Sequence, residues 1–118
     1  MRPAALALLL SLLPVPARAD SGDSREQLRF GIAVARKGLW TEARFRFERA
    51  VQLDPSNVAA LNNLAVALEQ QGEFDKAREA YDKALALGSS TYLQQNYDLF
   101  READDKRKRK IKGQKSKP

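Results

Sequence analysis

The chain contains no cysteine and no histidine among its 118 residues. Without cysteine no disulfide can form, so stability must come from apolar packing. The missing thiols and imidazoles remove the usual transition-metal ligands and exclude thiol or imidazole catalysis. The carboxylates stand beside basic residues at helical spacing, as Glu42 does with Arg46, and such pairs are typical of solvated helix surfaces. With no Gly-rich phosphate loop and no nucleophile beside a base, we expect a non-catalytic protein without a cofactor.

One long uncharged apolar run is present, and it lies at the start of the chain. Residues 4–13 follow the positive end Met1-Arg2 and precede Ala17-Arg18-Ala19, a small-residue cleavage pattern. A bilayer-spanning helix needs about 20 apolar residues, so this run is too short to be an anchor. It predicts a signal peptide over residues 1–19, cleaved after Ala19, and a protein exported to the periplasm or the cell exterior. An apolar tail or uncleaved anchor is the alternative.

The charge is divided between two segments of opposite sign. Residues 20–105 carry 11 Lys and Arg against 15 Asp and Glu, whereas residues 106–118 carry eight basic residues and no acid. The low apolar content of this tail predicts disorder or frayed helix. Such runs bind anionic membrane surfaces or polymers, through Lys106, Arg107, Lys108, Arg109, Lys110 and Lys112. Export argues against nucleic acid as the target, and a solvated tail without function is the alternative.

The body of the chain repeats with a period of 34 residues. Gly38 corresponds to Gly72 34 residues later, and in the same way Phe47 corresponds to Tyr81 and Ala50 to Ala84. Apolar positions recur at helical spacing, Gly38 and Gly72 are typical helix ends, and Pro55 stops the second helix. The pattern predicts two helical hairpins and a fifth helix from about Thr91, which we expect to fade after Ala103 or Asp104. The fold is therefore predicted to be all-α, an α-solenoid of stacked units.

These residues resemble the tetratricopeptide repeat (TPR), whose pattern runs W-x2-L-G-x2-Y, A-x3-F and P. The first unit offers Phe30-Gly31 followed by Ala43-x3-Phe47, and the second offers Leu64-Ala65 followed by Ala77-x3-Tyr81. Gln27 and Leu61 replace the tryptophan, and Ser89 replaces the second proline. The predicted organisation is a signal peptide over 1–19, a polar leader over 20–23, TPR units over 24–57 and 58–91, a capping helix over 92–105 and a basic disordered tail over 106–118.

The resemblance implies that a protein or peptide partner binds the concave face made by the first helix of each unit. The implied groove residues are Arg25, Leu28, Ile32, Arg36, Ala59, Asn62, Asn63, Val66, Glu69 and Gln70. An amide such as that of Asn62 or Asn63 can donate to and accept from a peptide backbone. A basic clamp for a terminal carboxylate is not expected, because Leu28 and Ile32 occupy its place. The alternative is that these are ordinary solvated positions.

Three further expectations follow from the short array. The fifth helix extends the concave face with Gln94, Gln95 and Tyr97. Trp40 packs in the core or at the turn, although an aromatic there could also serve as a binding hot spot. Two units are fewer than the three or so that solenoids usually need, so self-association through incompletely covered ends is a further alternative. The identity of the partner does not follow from the repeat, because one fold serves many functions.

Overall fold

The computed structural model describes residues 21–115, and every regular element in that range is an α-helix. The elements are α1 (Ser21–Ala35), α2 (Trp40–Leu53), α3 (Val58–Gln70), α4 (Phe74–Leu87) and α5 (Thr91–Lys115). The predicted all-α fold with two helical hairpins is confirmed. The predicted signal peptide with its cleavage site, and the last residues of the tail, lie outside the described residues.

The helix boundaries follow from local chemistry. Gly38 and Gly72 adopt φ angles of 75° and 77° in the two hairpin turns, a left-handed conformation that glycine adopts at little cost. The Asn57 side chain accepts a hydrogen bond from the Ala60 amide, and Ser90 Oγ accepts one from the Leu93 amide. These two residues are therefore the N-caps of α3 and α5.

The first helix begins earlier than the repeat pattern indicates. α1 starts at Ser21, so most of the predicted polar leader is helical. No proline separates the leader from the first unit, and Asp23 in the first turn is a carboxylate where the helix dipole favours one.

Consecutive helices pack on one another, and further contacts join α1 to α3 and α3 to α5. Within the described chain α2 and α4 do not approach each other in this way. The first helices of the units, together with α5, therefore line one face of the array, while α2 and α4 lie on the other. One apolar cluster is centred on Ala43, Phe47 and Ala67, and a larger one surrounds Tyr81 and Phe100.

Gly31 lies directly against Phe47 at the crossing of α1 and α2. A Cβ placed on Gly31 would come within 2.5 Å of Phe47 Cε1, so the ring occupies the space that a side chain would need. Ala43 and Ala77, the small residues of the repeat pattern on the opposing helices, are fully buried. These small residues allow the paired helices to approach closely.

α5 packs on α4 as α3 packs on α2. Each residue of α5 corresponds to the residue of α3 that lies 33 positions earlier in the chain, rather than 34. The turn before α5 spans residues 88–90, one fewer than the turn over 54–57. At the shift of 33, the cap Asn57 matches Ser90 and the buried Ala67 matches Phe100. Arg44 donates to Gln71, and the Arg one repeat later, Arg78, donates to Asp104. α5 thus takes the position that the first helix of a following unit would have.

The back of α5 carries polar residues where the corresponding face of α3 holds α4. Leu61, Ala65 and Leu68 are buried on α3, and their counterparts at the shift of 33 are Gln94, Asp98 and Arg101, all exposed. Gln94 donates to Asp98 across one turn. Because this flank is hydrated, α5 covers the apolar end of the second unit without needing a partner helix, as predicted for a capping helix.

The predicted disorder of residues 106–118 is wrong as far as Lys115, because α5 continues as a helix to that residue. The cause is Asp104, whose side chain is fully buried. It accepts hydrogen bonds from Arg78 on α4 and from Arg107 one turn ahead, at 2.7 Å, and pairs with Lys108 at 3.1 Å. Burial alone would raise the pKa of Asp104, but these cations outweigh it and hold that pKa well below its usual range.

Candidate functional site

The face lined by α1, α3 and α5 carries an aliphatic side chain at the same repeat position in each helix. Ile32 on α1 is followed by Val66 on α3 after 34 residues and by Leu99 on α5 after 33. Ile32 and Val66 are half-buried, whereas Leu99 is 67% exposed. The face therefore bears a discontinuous apolar strip that crosses the array.

A cleft of about 220 Å³ opens on this face between the first unit and α3. Its wall is mostly apolar and is formed by Ile32, Ala35, Arg36, Trp40, Phe47, Asn63 and Val66. Four of the ten predicted groove residues meet here: Ile32 and Arg36 from α1, and Asn63 and Val66 from α3. The structure thus brings together residues that lie about 30 positions apart in the chain.

The buried residue that faces the second helix of the preceding unit differs in size between α3 and α5. Ala67 packs against Phe47 in the first cluster. At the equivalent place in the second unit, Phe100 packs against Tyr81 with ring centroids 5.2 Å apart. A phenyl ring therefore lies between α4 and α5 at the position where a methyl group lies between α2 and α3.

Two polar side chains lie at the rim of the cleft. The Arg36 side chain has no hydrogen bond or ion pair with any residue in 21–115. Asn63 Nδ2 donates to the Ala59 carbonyl at 2.8 Å, which leaves its amide oxygen and second N–H for a ligand. The site therefore offers one cation and one amide beside an apolar wall.

Two other predicted groove residues are engaged inside the protein. Asn62 is only 3% exposed, and its Oδ1 accepts from Asn96 Nδ2 at 3.1 Å, so it joins α3 to α5. Glu69 accepts from the Tyr81 hydroxyl at 2.6 Å. Burial raises the pKa of Glu69, and the hydrogen bond from Tyr81 opposes that rise. Burial and the bond to Glu69 raise the pKa of Tyr81.

The remaining predicted groove residues lie outside the cleft wall. Leu28 is half-buried against the first apolar cluster, and Arg25, Ala59 and Gln70 are exposed. On α5, Gln95 is exposed, Gln94 donates to Asp98, and Tyr97 packs edge-on against Tyr81 with centroids 5.9 Å apart. The predicted extension of the groove along α5 is therefore carried mainly by Leu99, which the sequence prediction did not include.

Trp40 packs in the core, as one of the two sequence interpretations expects, while its role as a binding hot spot stays a prediction. It packs against the cluster of Ala43 and Phe47 as a core residue, and it also lines the cleft. Ala35 lines the cleft as well, although the groove prediction did not include it. The one signal that could have indicated both is their position at the end of α1 and the start of α2, where the hairpin turn borders α3.

The basic residues of α5 divide into two groups. Arg107 lies over the Phe74 ring at 4.4 Å, Lys108 pairs with Asp104, and Lys106 pairs with Glu102 at 3.3 Å. Lys110, Lys112 and Lys115 are exposed and have no ion pair within residues 21–115. Arg109 Nε donates to the Asp105 backbone carbonyl at 3.3 Å. Four of the six predicted anionic-partner residues therefore already have partners within the protein.

No cluster of acidic side chains suited to a metal ion occurs within residues 21–115. None of the described helices combines the length and apolar character needed to cross a membrane.

Comparison with known proteins gives matches over the repeat region. Residues 28–92 match the family model of the tetratricopeptide repeat. The TPR repeat-containing thioredoxin TTL4 of Arabidopsis thaliana is 38% identical over 61 residues, which are 52% of this chain and 9% of that protein. The uncharacterized protein ycf37 of Pyropia yezoensis is 39% identical over 57 residues, 48% of this chain and 32% of that protein. The chain thus spans less than a third of the length of either relative in these matches.

Proposed function

This chain belongs to the tetratricopeptide-repeat family, whose units generally mediate protein–protein interaction, and we propose that it is a non-catalytic adaptor that binds a partner protein through its concave face. The observation that carries the proposal is the cleft formed by Ile32, Arg36, Asn63 and Val66. It combines an apolar wall with a few polar groups, the usual composition of a recognition site.

The size of the cleft favours a peptide side chain over a small-molecule ligand. At about 220 Å³ it is smaller than the roughly 300–1,000 Å³ typical of small-molecule pockets. A single large aliphatic or aromatic side chain fits this space, and the strip continuing to Val66 and Leu99 can support neighbouring residues of an extended or helical segment.

Selection from a displayed peptide library against residues 20–118 tests the proposal. Binding of the selected peptides is then measured by the fluorescence of Trp40, the single tryptophan of the chain, which lines the cleft. Asn63→Phe should fill the cleft and lower the affinity at least tenfold, an order-of-magnitude expectation for losing a central contact. Gln52→Phe, on the exposed side of α2, adds the same ring elsewhere and should bind normally. Equal affinities for both variants would contradict the groove proposal.

A second candidate function is favoured by the helical continuation of α5. Lys110, Lys112 and Lys115 are exposed without ion pairs in the described chain, so they can contact an anionic surface or polymer. Ending the chain after Lys108 keeps the pairs around Asp104 and removes the other charges. Loss of salt-sensitive binding to phosphatidylglycerol vesicles on this truncation would support tethering, with phosphatidylcholine vesicles as the control. Unchanged binding would contradict it.

We also propose export through cleavage after Ala19, which the apolar run and the small-residue pattern support. The mass of the protein recovered from the native cell envelope tests it. A mature chain that begins at Asp20 is the expected result, and a chain that retains residues 1–19 would contradict it.

The proposal of self-association is supported by exposed aromatic side chains at the amino-terminal end of the array. Phe30 and Phe45 are 47% and 57% exposed, and Arg46 lies between them at 4.3 and 5.5 Å from their ring centroids. Phe30 corresponds to Leu64, which packs between units. Sedimentation over a concentration series should show dimer formation that Phe30→Glu abolishes. A concentration-independent monomer would remove this proposal.

A further inference from the structure

We infer that the cleft binds a large apolar side chain of a partner segment whose neighbouring residues are acidic. This inference rests on the proposed function and specifies its ligand. It follows from the charges around the cleft, because cations border it and no carboxylate lines its wall.

Two cations on the groove side of α1, Arg29 and Arg36, have no acidic partner in the described chain. Arg29, Ile32 and Arg36 follow at helical spacing and share one face of the helix. The side chains of Arg29 and Arg36 make no hydrogen bond or ion pair with residues 21–115, and the same holds for Lys37 at the end of the hairpin turn. An unpaired positive edge therefore borders the apolar cleft.

The carboxylates that flank the cleft on α2 and α3 are engaged elsewhere. Glu42 pairs with Arg46 at 3.1 Å, and Glu48 pairs with Arg44 at 2.8 Å, both on α2. Glu69, one turn beyond Val66 on α3, accepts the hydrogen bond of Tyr81. No carboxylate lines the cleft itself. An acidic residue of a ligand would thus meet cations without competition, and a basic one would meet repulsion.

The composition of the cleft wall determines which partner side chain can enter the cleft. Ile32, Trp40 and Val66 present apolar surface, and Arg36 stands at the rim. One guanidinium in an apolar setting is not a chelating set for a terminal carboxylate. It suits an apolar anchor that enters the cleft while an adjacent carboxylate remains at the rim, where the planar, weakly hydrated guanidinium can pair with it.

Synthetic peptides with a central phenylalanine test the inference, with Trp40 fluorescence and the amide spectrum of the protein as readouts. Three peptides carry the phenylalanine with two aspartates, two serines or two lysines on each side. A fourth peptide has alanine in place of phenylalanine between the aspartates. The aspartate-flanked phenylalanine peptide should bind about tenfold or more tightly than the serine-flanked one. The lysine-flanked and alanine peptides should bind more weakly still.

Reversing the charge of single residues shows which cation causes the preference for aspartate-flanked peptides. Arg36→Glu should remove the preference for aspartate flanks or change it to a preference for lysine. Arg49→Glu, on an exposed part of α2, makes the same charge change away from the cleft and should preserve the preference. Equal effects of the two reversals would overturn the inference, as would equal affinity for aspartate and serine flanks. Peptides that bind the cleft without preference for flanking charge would leave the adaptor proposal standing, whereas a cleft that binds no library or synthetic peptide would remove both.

Discussion

The Phe47 ring fills the position that a side chain on Gly31 would occupy. A Cβ there would lie 2.5 Å from Phe47 Cε1 and 3.2 Å from Arg46 Cβ. Gly31→Ala should therefore destabilise the protein by about 1–3 kcal/mol, because α1 and α2 must separate or Phe47 must leave its rotamer. Urea denaturation followed by circular dichroism measures the loss.

Gly113→Ala is the matched control for that substitution. Gly113 lies inside α5, and no neighbouring atom would come within 4 Å of its added Cβ. Alanine is the better helix former by about 1 kcal/mol, so this variant should be neutral or slightly more stable. Similar losses at both glycines would show that the Phe47 contact is not the cause.

Asp104 makes the stability of the α4–α5 contact dependent on pH. Its pKa is depressed in the folded protein by Arg78, Arg107 and Lys108, below the value of about 3.9 for an unfolded aspartate. Its contribution is therefore present above about pH 5 and is lost as pH falls through the folded pKa, since the unfolded chain takes up the proton first.

Asp104→Asn should cost about 1–3 kcal/mol at neutral pH, because the buried ion pairs lose their shared anion. The difference from the parent protein should shrink below about pH 4. Urea unfolding at several pH values measures it. Asp105→Asn, at an exposed neighbour, should stay within about 0.5 kcal/mol of the parent, and a pH-independent deficit for Asp104→Asn would contradict the electrostatic origin.

The Tyr81 hydroxyl stabilises the charged form of Glu69. Tyr81→Phe should therefore raise the pKa of Glu69 further and cost about 0.5–1.5 kcal/mol of stability. The side-chain carboxyl resonance of Glu69, followed by NMR during an acid titration, measures the pKa. Tyr92→Phe, at a position 64% exposed, should change neither quantity, and an unshifted Glu69 in Tyr81→Phe would contradict the assignment.

From the contacts of Arg107 and Lys108, we expect the boundary between body and tail to lie after Lys108 rather than before Lys106. Arg107 covers Phe74, and Lys108 pairs with Asp104. A chain ending after Lys108 should keep its stability within about 0.5 kcal/mol. A chain ending after Asp105 should lose about 1–3 kcal/mol, since it removes partners of a buried carboxylate. Thermal and urea unfolding of the two truncations test the boundary, and equal stability would place it earlier.

The sequence predicts the hairpins well because their determinants are local or periodic. Gly38 and Gly72 mark the turns, Asn57 caps α3, and the small Gly31 implies a close crossing. The continuation of α5 is different, since it depends on Arg78, which lies 26 residues before Asp104. A run of like charges predicts disorder when that partner is not known.

The cleft could be predicted only in part for a similar reason. Ile32, Arg36, Asn63 and Val66 follow from the repeat pattern, which assigns them to the groove face. The hydrogen bond between Asn62 and Asn96 depends on how α5 packs against α3. The turn before α5 is one residue shorter, so a fixed period of 34 misaligns this helix and conceals the match of Ala67 with Phe100.

The hydrated flank of α5 also constrains any assembly of this protein. Gln94, Asp98 and Arg101 would have to be stripped of water before another copy could stack on that end. The exposed aromatic residues Phe30 and Phe45 lie at the opposite end of the array. Head-to-tail contacts, which generate filaments, are therefore disfavoured. If two copies meet through the aromatic end, as proposed above, the same surface of each is buried and the pair is closed by two-fold symmetry.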